Sequence, residues 1–331
     1  MRDRSSADRT IRIELRGASM SGTDSYDGEP GAAGRADPAT EAFLAHRNLL
    51  FTVAYEMLGS AADAEDVLQE TWLRWVGVEL AEVRDQRAYL VRIATRQALT
   101  RLRTMGRRRE SYVGSWLPEP LLTSPDVAAD VEFAESVSMA MLLVLETLAP
   151  TERAVFVLRE VFDLAYDEIA EAVDKTPAAV RQIAHRARAH VAARRPREMV
   201  SPAQTRVALE AFERAIRTGD MQGLLDILAP DVVLVGDGGG IRRAVPRPIT
   251  GAWKVARLLA ARHGKFGGLI AAGLRHEPVE VNGYPALILE FDDEIDTVLA
   301  VRVDDGLIAG LYAVRNPEKL ARMEQETGLS R

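Results

Sequence analysis

The sequence predicts a multidomain protein: two all-α domains followed by an α+β domain. Three observations carry the prediction. The chain has 331 residues, more than one domain at roughly 100–200 residues each. From about residue 40 to 195 its apolar residues recur at helical spacing, interrupted by a proline-rich stretch at 106–130. Beyond Pro196 and Pro202 there are first two helical segments and then short apolar runs. Asp, Gly and Asn separate those runs, as turns separate antiparallel strands.

Composition narrows the function classes. Hydrophobic residues make up 47% and charged residues 27%, enough to bury real cores. The chain has no Cys, which excludes a disulfide scaffold, a Cys-ligated zinc site and a cysteine nucleophile. No apolar run approaches the ~18 residues of a membrane span. Residues 1–38 are rich in Ser, Gly, Asp and Arg and lack an apolar signal-peptide core. They read as a disordered tail, with Met20 an alternative start, and cytoplasmic location is the default.

The first helical domain is placed at 39–105. Within 62–77, Ala64, Val67, Leu68, Trp72, Trp75 and Val76 form an apolar face, Trp72 and Trp75 reading as core. The opposite face carries Asp63, Asp66, Gln69, Glu70 and Arg74. Asp63 and Asp66 suit the first turn, where the helix dipole favours carboxylates. Ala88 to Arg103 is a further helix, with Leu90, Ile93, Ala94, Ala98, Leu99 and Leu102 inward. Gly106, Gly114, Pro118, Pro120 and Pro125 make 106–130 a linker holding the apolar segment Trp116–Leu122. The second helical domain, 131–197, breaks at Pro150, where Thr151 is expected to cap the next helix.

Tyr166–Val173, a three-residue turn and a helix to about Ala193 follow the helix-turn-helix plan. Thr176-Pro177 supplies the N-cap and first helical residue of the second helix. Ala165, Ile169, Ala170 and Val173 are expected inward on the first helix, and Val180, Ile183 and Ala184 on the second. Arg181, Gln182, His185, Arg186 and Arg188 are left on or near the exposed side. Arg pairs bidentately with guanine and Gln with adenine in the major groove.

Net charge is −7, from 42 Lys and Arg against 49 Asp and Glu, and so small a negative total argues by itself against a generic nucleic-acid binder. Its distribution argues the reverse. Arg87, Arg92, Arg96, Arg101, Arg103, Arg107, Arg108 and Arg109 occupy one window without an acid. Lys175, Arg181, Arg186, Arg188, Arg194, Arg195 and Arg197 occupy another. The two windows carry +15 of a chain totalling −7, so the remainder carries −22. Like charges three and four apart cost a helix stability, a cost that a polyanion relieves. Tyr89 and Tyr112 are candidates to stack on unpaired bases, with burial in a core the equal alternative.

In the last domain, 198–331, helices are expected over Ala203–Arg217 and Met221–Leu228. Strands are expected over Val232–Val235, Leu269–Leu274, Ala286–Phe291, Val298–Val303 and Leu307–Val314. Asp237-Gly-Gly-Gly240 lacks the Gly-Lys-Ser/Thr of a phosphate loop and reads as a turn needing positive φ. Trp116 and Leu117 need burial, and docking against this domain supplies it. Asp231, His263, Tyr284 and Asp296 are catalytic candidates by residue type alone.

The segment from Asp63 to Trp72 resembles region 2.2 of bacterial RNA polymerase sigma factors of the extracytoplasmic-function type. Ala88–Arg96 with Leu102-Arg103 resembles regions 2.3 and 2.4, and Leu148–Arg159 with the helix-turn-helix resembles region 4. The match covers roughly residues 40–195; Thr100 stands where many members carry Asp, and Arg96 where Asn is frequent. Trp116–Pro120, Asp237–Gly240 and Asn316–Leu320 are similar to segments of the sigma-J type subgroup, whose C-terminal extension is SnoaL-like, an NTF2-like cone. Ile241 stands where its members commonly have Lys or Arg. The resemblance implies core-polymerase binding through Asp63, Asp66, Gln69 and Glu70, on the clamp helices of the largest subunit. It implies reading of the −10 element by Tyr89, Arg92, Arg96, Arg101 and Arg103. Reading of −35 falls to Thr176, Arg181, Gln182, His185, Arg186 and Arg188. Regulation in cis falls to Trp116, Leu117, Pro118, Asp237, Gly238, Gly239, Asn316, Pro317 and Leu320. No catalytic residue, metal, cofactor or membrane contact is expected. Two other readings stay open on the residues: a DNA-binding regulator that senses a small-molecule ligand in its C-terminal domain, and a SnoaL-like enzyme with a DNA-binding arm.

Overall fold

Three helices build the first bundle. In a computed structural model, which describes residues 37–194, 200–260 and 275–331 (backbone alone for 107–110), α1 spans Pro38–Leu58, α2 Ala61–Trp75 and α3 Gln86–Glu110. Gly59 ends α1 at φ 66°, the left-handed conformation that only glycine adopts without cost. Leu50, Val53 and Met57 of α1 pack with Ala64, Val67 and Trp75 of α2 and Leu90, Ala94 and Ala98 of α3. Trp75 is fully buried and its indole donates to the Ala39 carbonyl at 2.7 Å. Trp72 meets Phe43 edge-on at 5.2 Å. Both tryptophans are core residues, as expected.

The second helical segment runs α4 Pro125–Ala129, α5 Val131–Val137, α6 Met139–Leu145 and α7 Pro150–Phe156. A π-turn at Val157–Val161 follows, then α8 Tyr166–Val173 and α9 Pro177–Ala192. Two local expectations are corrected. Thr151 does not cap α7: Ala149 is the cap residue and Pro150 takes the first turn, where its fixed φ is favourable. Ala165 is exposed rather than inward, because it caps α8, and its N–H is satisfied by Glu168 Oε2 at 2.8 Å. The irregular part of the linker is also shorter than its proline content suggests. Helix α3 continues to Glu110, and Pro125 opens α4 instead of breaking one.

The C-terminal segment begins with α10 Pro202–Thr218 and α11 Met221–Ile227. Then come β1 Leu228–Asp237, β2 Ile249–Thr250, α12 Ala252–Ala260, β3 Arg275–Val281, β4 Tyr284–Phe291, β5 Glu294–Asp304, β6 Leu307–Val314 and α13 Pro317–Leu320. The sheet order is β2-β1-β6-β5-β4-β3, with β1 and β6 parallel and the other neighbours antiparallel. This is the α+β domain expected. The expected strand at Leu269–Leu274 and nearly all of the expected disordered tail lie outside the described residues.

The sheet is buried on both faces. Leu287, Leu289, Leu299 and Val301 pack on Phe212, Ile216, Val255 and Leu259 of the helical layer. Their alternates Ala286, Ile288, Val298 and Ala300 pack on Leu117 of the linker, Met139 of α6, and Leu320 and Met323. Residues Asp37–Arg331 form one unit, and this second face is where linker, helix-turn-helix segment and C-terminal domain meet.

Candidate functional site

Four surfaces carry the expected site residues. On α2, Ser60 caps the helix through its hydroxyl (Asp63 N–H, 3.2 Å), and Asp66, Gln69 and Glu70 are exposed. The sequence reading missed Leu73, which is 70% exposed; Val76, expected on the apolar core face, is 47% exposed because it lies past the end of α2. With Asp66 and Gln69 they lie along one helix face.

Arg101 does not stand free for DNA. Its guanidinium pairs with Asp63 (2.6 Å), Asp66 and Glu70 (3.6 Å), tying α3 to the acidic face of α2. Partial burial acts to lower its pKa, and Asp63 and Asp66 outweigh that and raise it. Arg92 and Arg96 project to α8 of the helix-turn-helix. Arg92 pairs with the Glu171 carboxylate at 2.8 Å and Arg96 donates to the Glu171 carbonyl at 2.7 Å. Tyr89 is half-buried between Trp75 (5.9 Å) and the Arg92 guanidinium (4.6 Å). Arg103 is exposed. The side chains of Arg107, Arg108 and Arg109, with Arg195 and Arg197, lie outside the described residues.

The helix-turn-helix is built as its signals require. Asp174 takes φ 55° in the turn, and Thr176 Oγ1 accepts the Ala179 N–H at 3.2 Å. Arg181, Gln182, His185, Arg186 and Arg188 are all exposed along α9. Arg186 leans to Glu152 (3.5 Å) and Arg188 to Glu160 (3.4 Å), loose pairs that leave the edge of the helix open.

The fourth surface is the seat of the linker. Asp237, at the end of β1, has no solvent exposure. Its carboxylate accepts from the Leu117 N–H (2.9 Å), the Tyr112 hydroxyl (2.6 Å), the Gly239 N–H (3.0 Å) and the Lys319 ammonium (2.6 Å). Lys319 also donates to the Leu117 carbonyl at 2.5 Å and lies 4.3 Å over the Trp116 ring. Asn316 donates to the Tyr112 hydroxyl at 3.0 Å and caps α13. A Cβ on Gly239 would strike the Asn316 amide at 2.4 Å, and φ is +61° there, so only glycine fits. Gly238 is equally constrained, a Cβ there falling 2.0 Å from the Arg242 carbonyl oxygen.

The structure therefore brings Trp116, Leu117, Asp237, Gly238, Gly239 and Asn316 together, with Leu320 in the same apolar cluster as Leu117. Pro118 is buried within the linker; Pro317 is exposed and serves to start α13. Tyr112 is a member of this seat rather than a base-stacking residue. Burial and the neighbouring Asp237 carboxylate push its phenol well above the ordinary range.

A second linker contact had no sequence signal. Asn282, at the β3–β4 turn (φ 54°), is 1% exposed. Its amide donates to the Tyr55 hydroxyl of α1 (2.7 Å) and the Val137 carbonyl of α5 (2.9 Å), and accepts from Leu121 N–H (3.1 Å). One side chain thus joins all three domains and the linker. The chain's end closes over the same junction. Leu329 is buried in the helical core, and Ser330 N–H donates to Thr52 of α1 at 3.1 Å.

Of the catalytic candidates, Asp231 is exposed, Tyr284 is buried, and Asp296 is paired with Arg315 at 2.8 Å; His263 lies outside the described residues. A cavity beside Met139, Tyr284 and Arg302 measures about 20 Å³, room for a single water. Among the described residues, no group of three His, Asp or Glu is arranged to hold a metal, and no helix is long and apolar enough to cross a membrane.

An acidic helix, an arginine-rich helix and a helix-turn-helix in this order define the two DNA-facing domains of an RNA polymerase sigma factor. Residues 42–108 match the family model for Sigma-70 region 2, and residues 138–191 that for Sigma-70, region 4. The chain is 35% identical over 307 residues to ECF RNA polymerase sigma factor SigJ of Mycobacterium tuberculosis H37Rv, covering 87% of this chain and 97% of that one. It is 32% identical over 295 residues to the probable ECF RNA polymerase sigma factor SigI of the same organism, covering 88% and 98%. The crystal structure of M. tuberculosis SigJ matches with a TM-score of 0.69 at 33% identity, over 86% of this chain and 98% of that one. The chain belongs to the extracytoplasmic-function family of RNA polymerase sigma factors. It binds core polymerase and directs it to promoters.

Proposed function

We propose that this sigma factor docks on the polymerase through the exposed face of α2, reads −10 with α3 and −35 with α9, and rests in a self-closed arrangement. The partner of α2 is assigned to the clamp helices of the largest subunit. Asp66, Gln69 and Glu70 give the polar contacts, and Leu73 and Val76 the apolar anchor. The protein acts where chromosome and polymerase are, in the cytoplasm.

The observation that carries the closed reading is Glu171. It occupies Arg92 and Arg96 of the −10 helix from the first helix of the −35 reader. The two promoter elements lie about 25 base pairs apart by their names, on the order of 85 Å at ~3.4 Å per base pair. Two domains in direct contact cannot span that distance, so promoter binding requires them to separate. The linker between them is held by Asp237 and Asn282 of the C-terminal domain, which makes that domain the restraint.

Promoter-directed transcription with core polymerase tests the reading. The full chain supports it, Arg181→Ala loses −35-dependent initiation, and Asp66→Ala with Leu73→Ala loses core binding. Equal activity of all three would refute it.

A further inference from the structure

Helix α2 presents the polymerase-binding face, and its first turn is not completed by its own sequence. Four N–H groups at a helix start have no partner within the helix. At α2, Ala64 N–H makes the first helical bond, to the Ser60 carbonyl at 3.0 Å, and Asp63 N–H is capped by the Ser60 hydroxyl. The N–H groups of Ala61 and Ala62, which have no helical acceptor, both donate to Glu119 Oε2, at 2.8 and 3.3 Å. The Ser60 hydroxyl donates to the same oxygen at 3.2 Å. Glu119 is a linker residue, 58 positions from Ala61 and 4% exposed.

The carboxylate is held in place from both sides. Glu119 N–H donates to the Gly59 carbonyl at 2.9 Å, and its own carbonyl accepts the Tyr55 hydroxyl at 2.6 Å. On the N-terminal side Leu117 is fixed to Asp237, and on the C-terminal side Leu121 is fixed to Asn282 through both its N–H and its carbonyl. Pro118 and Pro120 flank Glu119 and restrict its backbone. Both anchors belong to the C-terminal domain. Burial raises the Glu119 carboxyl above its ordinary pKa, and the Ala62 and Ala61 N–H bonds oppose that rise; its carboxylate faces the positive end of the helix dipole.

We propose that Glu119 is a positioning residue for polymerase binding: the C-terminal domain, by seating the linker, completes the N-terminus of α2 and so preorganises the face that meets the core enzyme. The C-terminal domain then has two separable effects. It holds the promoter-reading domains together, and it keeps the polymerase-binding helix formed. This rests on the assignment of α2 as the docking helix.

The test uses the full chain, with titration of core RNA polymerase and amide exchange at Ala61 and Ala62 in the free protein. Glu119→Ala is expected to deprotect those two amides and weaken core binding about fivefold, the size of a lost helix cap. Glu119→Gln keeps an acceptor oxygen and is expected to recover part of both. Asp237→Asn, in the C-terminal domain, is expected to deprotect the same amides from a distance, an effect that a merely local packing role would not produce. Core affinity unchanged or tightened in Glu119→Ala overturns the proposal, as does protection at Ala61 and Ala62 unchanged in Asp237→Asn. Should Glu119→Ala not fold, Glu119→Gln decides: weakened core binding without loss of amide protection overturns the proposal. Asp66→Ala separates the two claims. If it weakens core binding while Glu119→Ala does not, α2 still docks and only the positioning role fails. If neither does, the docking assignment itself fails.

Discussion

Asp237→Ala should release the linker, and the structure sets the scale of the effect. The carboxylate serves four donors, one of them the Lys319 ammonium at 2.6 Å, from a position with no solvent exposure. Removing one partner of a buried ion pair costs about 3–5 kcal/mol, because the other charge stays behind uncompensated. Here the Leu117 N–H and the Tyr112 hydroxyl lose an acceptor as well. Lys319 retains the Leu117 carbonyl and the faces of Trp116 and Tyr112, which argues for the lower end, about 3 kcal/mol. At 1.36 kcal/mol per decade that is on the order of 100-fold in the linker's docking equilibrium. The assay is hydrogen exchange at the Leu117 amide, supported by quenching of Trp116 fluorescence. Exchange should accelerate about 100-fold while the amides of α9 keep their protection. Exchange at Leu117 within threefold of the parent would refute the idea that Asp237 holds the linker.

Three further outcomes follow from the same structure. Asn282→Ala deprives Leu121 N–H of its acceptor and Tyr55 and Val137 of a donor, and should lower stability by about 2–3 kcal/mol in denaturant unfolding; Asn282→Gly, free to adopt φ 54°, should lose the bonds but not the turn, and fall less. Arg181→Ala should weaken −35 duplex binding about tenfold and, where its contact is a phosphate, lower the salt slope by about 1, read by fluorescence anisotropy across salt concentrations. Burial of Glu56, which accepts from Ser136 across the α1–α5 contact, pushes its carboxyl up to about 8 from 4.5. Its folded pKa is raised, so its contribution to stability is complete below about 4.5 and is lost as pH rises through about 8. Melting temperature should fall from pH 5.5 to 8.5, and Glu56→Gln should flatten that fall; a melting temperature that climbs over this window would contradict the assignment.

The elements most legible in the sequence were those set by local signals. Helix α8 and strand β6 begin and end where the pattern placed them, at Tyr166–Val173 and Leu307–Val314. Thr176-Pro177 marked the start of α9 because cap and first-turn preferences act within three residues. Strand β3 was missed because Pro278 and three charged residues obscure its alternation, and the edge of a sheet tolerates both. The apolar run Ala286–Leu289 of β4 signalled a strand but not its second buried face, which depends on Leu117 and Met139 arriving from elsewhere.

The site divides in the same way. Asp237, Trp116 and Asn316 came from resemblance to a subgroup, and Thr176 to Arg188 from helix geometry. Asn282 carried no signal and Glu119 was legible only as part of the Trp116–Pro120 segment, because their partners lie 57 to 227 positions away and one Asn-Gly turn reads like another. Arg92, Arg96 and Arg101 were correctly placed on one arginine-rich helix, yet periodicity cannot show that Glu171, Asp63 and Asp66 occupy them. The negative remainder of the chain is thus more than a bar to nonspecific DNA binding. Part of it neutralises the −10 helix from within.

The distance between the two promoter-reading domains tests the central claim most directly. Spin labels at the exposed positions Ala62 on α2 and Ala189 on α9 would report it in the free chain and in its complex with core polymerase and promoter duplex. The account predicts a single short distance in the free protein and an increase of tens of ångströms in the complex. A free chain already at the long distance, or a complex that keeps the short one, would contradict it.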